Sequence, residues 1–140
     1  MGIILCATRG GEASHRTQNE AIALAKERGD SILFLYVVDL HFLDKTAAPI
    51  VVDIEDEMGD MGEFLLMMAV ERASEQGVEA STTRRVGKVR EEIKRSAVIE
   101  CVSLVVLGKP AGKESAFQMD DLFAFAKEIE QETGIETIIV

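Results

Sequence analysis

The amino-acid sequence predicts an α/β protein built on a parallel sheet. Two short apolar runs, residues 2–7 and 104–107, each stop at a glycine-bearing turn and are followed by a helical pattern. Strands that are buried on both faces lose the alternation of apolar and polar residues, and such strands are typical of parallel sheets. Ligands of open α/β sheets bind outside the carboxyl ends of the strands. The two glycine turns are therefore the first places to look for a function.

The predicted elements alternate between strand and helix along the chain. Strands are predicted at residues 2–7, 31–38, 78–86, 104–107 and 134–140. Helices with one apolar stripe are predicted at about residues 14–28, 58–76, 87–101 and 117–132. Gly29 and Gly77 follow the first two helices, as glycine often does at a helix C-terminus. Right-handed crossovers would place the helices on both faces of one sheet.

The second helix and the segment before it carry further expectations. Residues 40–56, with Pro49 and a cluster of acids, are predicted as a long loop. The helix that follows is expected to face the core with its apolar stripe, which comprises Met61, Phe64, Leu65, Met68 and Ala69. Both cysteines, Cys6 and Cys101, are expected to be small buried residues.

Two strands are predicted to lie at the sheet edges. Residues 78–86 are β-branched, polar and basic, which suits an edge because such side chains discourage wrong pairing. The last strand is strongly apolar for an edge, and an apolar edge is usually covered or paired. We therefore expect a homodimer through a dimer edge formed by Glu136, Thr137, Ile138, Ile139 and Val140.

Composition narrows the class of partner. A chain of 140 residues with 47% hydrophobic content is expected to form one domain, residues 1–140, with a real core. The net charge of −10 argues against nucleic acid or an anionic membrane as a partner. No apolar run is long enough to cross a bilayer and no secretory signal is evident, so a cytoplasmic location is expected.

Two groups of large apolar residues leave alternatives open. Met58, Met61, Met67 and Met68 could form an adaptable surface for a partner, although core packing would account for most of them. Phe123 and Phe125 cannot easily share one helix face, so one of them is expected to be exposed and to mark a contact surface.

The sequence resembles the universal stress protein family over essentially the whole chain. The resemblance is carried by the first strand with Gly10-Gly11-Glu12-Ala13-Ser14, by strand 32–38, by Val86-Gly87-Lys88-Val89, and by Ser103-Leu104-Val105-Val106-Leu107-Gly108. It implies an open five-stranded parallel sheet with strand order 3-2-1-4-5, usually dimerised through the last strand. The two glycine turns would then meet where that order reverses.

The family includes members that bind ATP and members that do not. Binders resemble one another in an Asp at the end of the first strand and a Gly-x-x-Gly loop after the fourth, then nine residues, then Gly followed by Ser or Thr. Here Arg9 stands in place of the Asp, and the loop from Gly108 to Gly112 is one residue longer. After Asp120 and Asp121, the final pair is replaced by Leu122 and Phe123. These two offer a phosphate neither close backbone approach nor a hydroxyl donor, so ATP binding in the family's manner is not expected.

A smaller ligand is the alternative. Arg9, Lys109 and Lys113 are cations near the carboxyl end of the sheet, and consecutive backbone N–H groups in a turn can bind an anion. The candidate nucleotide or phosphate rim comprises Thr8, Arg9, Gly10, Gly11, Val38, Gly108, Lys109, Gly112 and Lys113. The competing interpretation is that the glycines serve tight turns and the cations are solvated or paired with local acids.

The resemblance implies a dimeric module of stress response or signalling that acts on a protein partner and is not an enzyme. No Ser/His/Asp, Cys/His or paired-carboxylate arrangement is evident, and neither a cofactor nor a metal is expected. Two alternatives stay open. The first is a regulatory domain that senses a nucleotide or small anion at the rim, and the second is a nucleotide hydrolase.

Overall fold

A computed structural model describes residues 2–8, 12–38, 48–109 and 115–140, and of residues 12–13, 48–58 and 115–118 it describes the backbone alone. The strands are β1 (Ile3–Ala7), β2 (Ser31–Val38), β3 (Ala80–Val86), β4 (Leu104–Leu107) and β5 (Glu136–Ile139). The helices are α1 (Glu12–Arg28), α2 (Ala48–Glu75), α3 (Val89–Ile99) and α4 (Ser115–Thr133). The types of these elements and their order along the chain agree with the prediction.

The strands form one parallel sheet in the order β3-β2-β1-β4-β5, which confirms the expected topology. In the central strand, Leu5 lies opposite Leu33 of β2 and Val105 of β4. One face of the sheet packs against α1 and α2, and the other packs against α3 and α4. The winding reverses between β1 and β4, so the two strand ends singled out in the sequence are neighbours.

Helix α2 begins at Ala48, so the prediction of a loop was wrong for residues 48–56. The remainder of that predicted loop, residues 40–47, lies outside the described residues. Pro49 falls in the first turn of the helix, where the missing N–H removes no intrahelical hydrogen bond. The proline that indicated a loop is therefore compatible with the start of a helix.

The core-facing side of α2 also differs from the prediction. Ala69 is buried as expected, but Met61 and Phe64 are 60% and 63% exposed, while Leu65 and Met68 are half-buried. The side that meets the sheet consists instead of Gly59, Gly62, Leu66, Ala69 and Ala73. Because glycine has no side chain, the helix backbone approaches the ring of Tyr36 closely at Gly62. The larger side chains are thereby directed to solvent.

The two cysteines have opposite environments. Cys6 is buried in β1 as expected, whereas Cys101 is exposed, so the prediction for Cys101 was wrong. Helix α3 ends at Ile99, and Cys101 has a left-handed backbone with φ of 53° just beyond it. The chain turns away from the apolar stripe of the helix at this point, and Val98 on the last turn is exposed as well.

The predicted edge strands are at the edges. Within the part of the chain that the structure describes, β3 pairs only with β2, and β5 pairs only with β4. Along β5, Glu136 is exposed, Thr137 is buried, and Ile138 and Ile139 are half-buried on opposite faces of the sheet. The homodimer through this edge stays a prediction. Among the helices of the described residues, none has the length and apolarity that crossing a bilayer requires.

Candidate functional site

The carboxyl ends of β1, β2 and β4 bring four of the predicted rim residues to one edge of the sheet. Because Cys6 lies opposite Val106, Thr8 and Gly108 follow at the same level on neighbouring strands. Val38 ends β2 and is buried. Lys109 is exposed, and its backbone N–H donates to the carbonyl of Val140 (2.8 Å). The other predicted rim residues, Arg9, Gly10, Gly11, Gly112 and Lys113, lie outside the described residues.

Thr8 is held on both its backbone and its side chain. Its N–H donates to the carbonyl of Leu35 on β2 (2.8 Å), which continues the sheet ladder past the end of β1. Its hydroxyl accepts a hydrogen bond from the side-chain amide of Gln18 on α1. Both side chains are almost fully buried, at 3% and 2% exposure. The hydroxyl that could have met a ligand therefore has a partner within the protein.

The hydrogen bonds continue from Gln18 to α2 and back to α1. Arg72 donates from Nη1 to the Gln18 side-chain carbonyl (2.5 Å), and its Nη2 lies 2.8 Å from His15 Nε2. A guanidinium has no acceptor, so the His15 nitrogen must be the acceptor of this contact. The chain Thr8–Gln18–Arg72–His15 therefore links the end of β1 to two helices.

Sequence reasoning missed Gln18 and Arg72, although a signal was present for the first. Thr17 and Gln18 stand one turn before Ala21 and Ile22, on the same stripe of α1 that packs against the sheet. Polar residues on a buried stripe need hydrogen-bond partners within the protein. For Arg72 no such signal existed, because its contacts cross between two helices.

Gly108 is covered by another side chain of α1. A Cβ atom at this position would collide with the side chain of Thr17, which is itself 3% exposed. The glycine therefore allows α1 to pack against the end of β4. This contact gives a packing reason for a glycine at position 108, different from the tight turn of the competing interpretation.

Leu122 and Phe123, which the sequence analysis expects at the final pair of the ATP motif, lie well inside α4. The helix begins at Ser115, so the N–H groups of Leu122 and Phe123 point back to carbonyls of the preceding turn. Leu122 packs against the core, and Phe123 is 53% exposed while Phe125 is buried, which confirms that only one of these two phenylalanines faces solvent. Asp121 forms an ion pair with Arg90 of α3.

Two buried groups of the described residues, the Cys6 thiol and the Glu92 carboxylate, are committed to the fold. Burial raises the pKa of the Cys6 thiol to about 12, so the thiol is protonated at neutral pH and cannot act as a nucleophile. The buried Glu92 binds two arginines, Arg85 (3.1 Å) and Arg95 (2.8 Å). Burying the charge of the Glu92 carboxylate without a partner would be unfavourable, and the two arginines compensate for that cost.

An open groove of about 340 Å³ lies between α3 and α4, at the amino ends of β4 and β5. It is lined by Glu91, Lys94, Arg95, Val98, Ile99 and Glu132, together with Thr133. The groove is at the opposite edge of the sheet from the rim. Over residues 2–8, 12–38, 48–109 and 115–140, no three His, Cys, Asp or Glu side chains meet in an arrangement that could hold a metal ion.

Comparison with known proteins gives a consistent result. The model of the "Universal stress protein family" matches residues 1–117. A universal stress family protein from Burkholderia pseudomallei is 23% identical, with a TM-score of 0.71, over 99% of this chain and 95% of that one. For UspA from Lactobacillus plantarum, the identity is 14%, the TM-score 0.79, and the coverage 99% and 97%.

A third solved structure is a universal stress family protein from Arabidopsis thaliana with AMP bound. It is 14% identical with a TM-score of 0.69, and the alignment covers 100% of this chain and 91% of that chain. At these identities the likeness to solved structures shows a common fold. A search of curated proteins finds no match.

Proposed function

The chain belongs to the universal stress protein family, and on that premise we propose that it is a non-catalytic, dimeric stress-response module that does not bind ATP by the family's usual motif. The main support is the position of Leu122 and Phe123 in the third turn of α4. A phosphate bound by a helix needs the free N–H groups of the first turn and close backbone approach. The N–H groups of Leu122 and Phe123 are used within the helix, and their side chains are bulky.

A second support is that two of the described rim residues, Thr8 and Gly108, are already in contact with side chains of α1. The hydroxyl of Thr8 receives the amide of Gln18, and the open side of Gly108 is filled by Thr17. A triphosphate at the reversal of the sheet would have to displace buried side chains of α1. Asp120 and Asp121 are exposed and would add repulsion to any phosphate near them.

The non-catalytic character has its own support in two side chains of the described residues, Cys6 and His15. The Cys6 thiol is buried and protonated, and His15 Nε2 accepts from Arg72. The thiol is therefore not accessible to a substrate, and the His15 nitrogen already has a hydrogen-bond partner.

The dimer is supported by the apolar edge at β5. Ile138 and Ile139 are half-buried in one copy, and the free edge of β5 can pair with a second copy. Size-exclusion chromatography with light scattering should give twice the 15.3 kDa of one chain. A strict monomer at micromolar concentration would contradict the dimer.

Ligand binding is tested by a thermal-shift titration with ATP and magnesium, ADP, AMP, cyclic AMP and phosphate. A ligand at a hundred times its Kd stabilises the fold by about 2.7 kcal/mol, which is a shift of several degrees at this chain length. We expect no shift with ATP. A shift with ATP that Lys109→Ala abolishes would overturn the proposal.

A sensor of a nucleoside monophosphate is the second candidate. It is favoured by the AMP bound to the Arabidopsis protein and by the cations Arg9, Lys109 and Lys113 in this sequence. A monophosphate carries less charge than ATP and needs fewer donors. This candidate predicts a thermal shift with AMP, lost in Lys109→Ala, and none with ATP. If AMP causes no thermal shift, the sensor of a nucleoside monophosphate is excluded.

A further inference from the structure

The solvent face of α2 carries three large apolar side chains. Met61, Phe64 and Met67 are 60%, 63% and 70% exposed. They stand at successive intervals of three residues, so they form a continuous stripe, called here the α2 patch. Phe64 lies on the side of the helix opposite Leu66 and Ala73, which are buried against the sheet.

Acidic side chains surround the α2 patch. Asp60, Glu71 and Glu75 are exposed and lie four residues before, seven after and eleven after Phe64, on the same helix face. Arg72 is the only basic residue between positions 48 and 75, and it turns inward to Gln18 and His15. The patch is therefore an apolar stripe on an acidic helix face, with Arg84 of β3 as a neighbouring cation that is paired with Glu63.

The helix that carries the patch is fixed to the sheet. Gly62 lies directly against the ring of Tyr36, and a Cβ at Gly59 would stand 2.8 Å from Arg84 Nη1. Arg84 also lies 3.7 Å from Glu63, which is an ion pair from β3 to α2. The backbone beneath the exposed side chains is thus held in place, while methionine side chains adapt to varied partners.

We propose that the α2 patch is the docking surface for a basic amphipathic helix of a protein partner. The proposal rests on the proposed function of an interaction module and names the partner's chemistry. Apolar residues of such a helix would cover Met61, Phe64 and Met67. Its lysines or arginines would face Asp60, Glu71 and Glu75, so the charges are complementary.

A second copy of this chain fits the patch poorly. A twofold contact brings the same surface of both copies together. It would place Asp60 and Glu71 of one copy near the same acids of the other, which is unfavourable. An anionic membrane meets the same repulsion, which the net charge of −10 increases. A cationic partner removes this repulsion.

The test is fluorescence anisotropy with a labelled synthetic peptide of about 18 residues, with leucines on one helical face and lysines on the other. A twin peptide carries glutamates in place of the lysines. We expect the basic peptide to bind and the acidic twin not to bind. Raising the salt concentration should weaken the binding, because opposite charges contribute to it.

Two variant pairs locate the binding. Phe64→Ser should weaken the binding of the basic peptide about tenfold or more. Phe123→Ser is its matched control, since Phe123 is 53% exposed on α4. Asp60→Lys with Glu71→Lys should also weaken binding, while Glu20→Lys with Glu27→Lys changes the net charge equally on a different helix, α1. If Phe64→Ser fails to fold, Met67→Ser replaces it.

The outcomes separate clearly. Loss in the α2 variants and retention in the α1 and α4 variants supports the proposal. Equal binding of both peptides, no binding of either, or equal loss in Phe64→Ser and Phe123→Ser overturns it. Self-association that Phe64→Ser abolishes identifies a second copy as the occupant and also overturns it. None of these results alters the ATP titration or the β5 dimer, so failure here is distinct from failure of the proposed function.

Discussion

The side-chain amide of Gln18 donates a hydrogen bond to the hydroxyl of Thr8, and this contact joins the first helix to the end of the first strand. The carbonyl of the same amide accepts from Arg72 on α2. One side chain thus satisfies polar groups from two other elements at the edge where a family ligand would bind. Hydrogen bonds between side chains of this protein therefore hold the carboxyl edge of the sheet to α1 and α2.

Replacing Gln18 with Leu should destabilise the protein. The variant removes one hydrogen bond from the Thr8 hydroxyl and one from Arg72, which keeps its contact with His15, and the loss of a buried partner costs about 1–3 kcal/mol. Urea denaturation should report the fall in the free energy of unfolding. Asn19→Leu, at the exposed neighbouring position, is the control and should change that free energy by less than about 0.5 kcal/mol. Equal effects would show that the amide contributes nothing specific.

Gly62→Ala should also destabilise the protein, although alanine favours a helix by about 1 kcal/mol. The added Cβ would overlap the ring of Tyr36, and overpacking of this kind costs about 1–3 kcal/mol. The expected net result is a lower midpoint of thermal unfolding. Ser74→Ala on the exposed face of α2 lacks the clash and should raise the midpoint slightly. A stabilised Gly62→Ala would mean that the helix does not lie so close to β2.

The alkaline limit of stability should depend on Lys94. Hydrogen bonds to Glu132 and then Glu128 raise the pKa of this lysine above its ordinary value of 10.5, despite a smaller opposing effect of desolvation. A group whose pKa is higher in the folded state stabilises the fold below its unfolded pKa and loses that contribution as the pH rises through its folded pKa. The contribution is thus complete below about pH 10 and falls above 10.5.

Lys94→Met separates this effect from other alkaline titrations. The free energy of unfolding, measured in urea from pH 8 to pH 11.5, should fall less steeply above pH 10.5 in the variant than in the wild type. Lys26→Met, at an exposed position of α1, is the matched control and should follow the wild type. Parallel curves for Lys94→Met and the wild type would contradict the assignment.

The two cysteines should differ in reactivity. Cys101 is exposed, whereas Cys6 is buried and its thiol has a pKa of about 12. Iodoacetamide at pH 8 should therefore label Cys101 in the native protein and label Cys6 only after denaturation. Mass spectrometry of peptides gives the extent at each site. Comparable labelling of both in the native state would show that β1 opens readily.

More of the fold than of the candidate site could be predicted from the sequence. Continuous apolar runs such as Leu104–Leu107 can be buried only between two layers, so strand positions follow from local composition. The prediction fails for the start of α2, because Pro49 and the nearby acids are typical of a loop. A proline in a first turn gives the same local signal as one in a loop, and only the register of the helix against the sheet separates them.

For the rim as well, the sequence identified individual residues but not the side chains that contact them. Thr8 and Gly108 were identified because glycine turns after buried strands are local patterns. Their partners, Gln18 and Thr17, became evident only when α1 was placed over the strand ends. Arg72 is 54 residues from Gln18, and no local pattern connects them.

The sequence by itself determined the alternation of strands and helices and their parallel arrangement, because these depend on residue type at near neighbours along the chain. The tertiary structure alone decided which side of α2 meets the sheet. Met61 and Phe64 are better core residues by hydrophobicity than Gly59 and Gly62, yet the glycines lie inward. The ring of Tyr36 leaves no space for a larger side chain at Gly62, and the Arg84 side chain lies against Gly59. Both of these side chains belong to the sheet, so the sequence of the helix alone could not show which side faces inward.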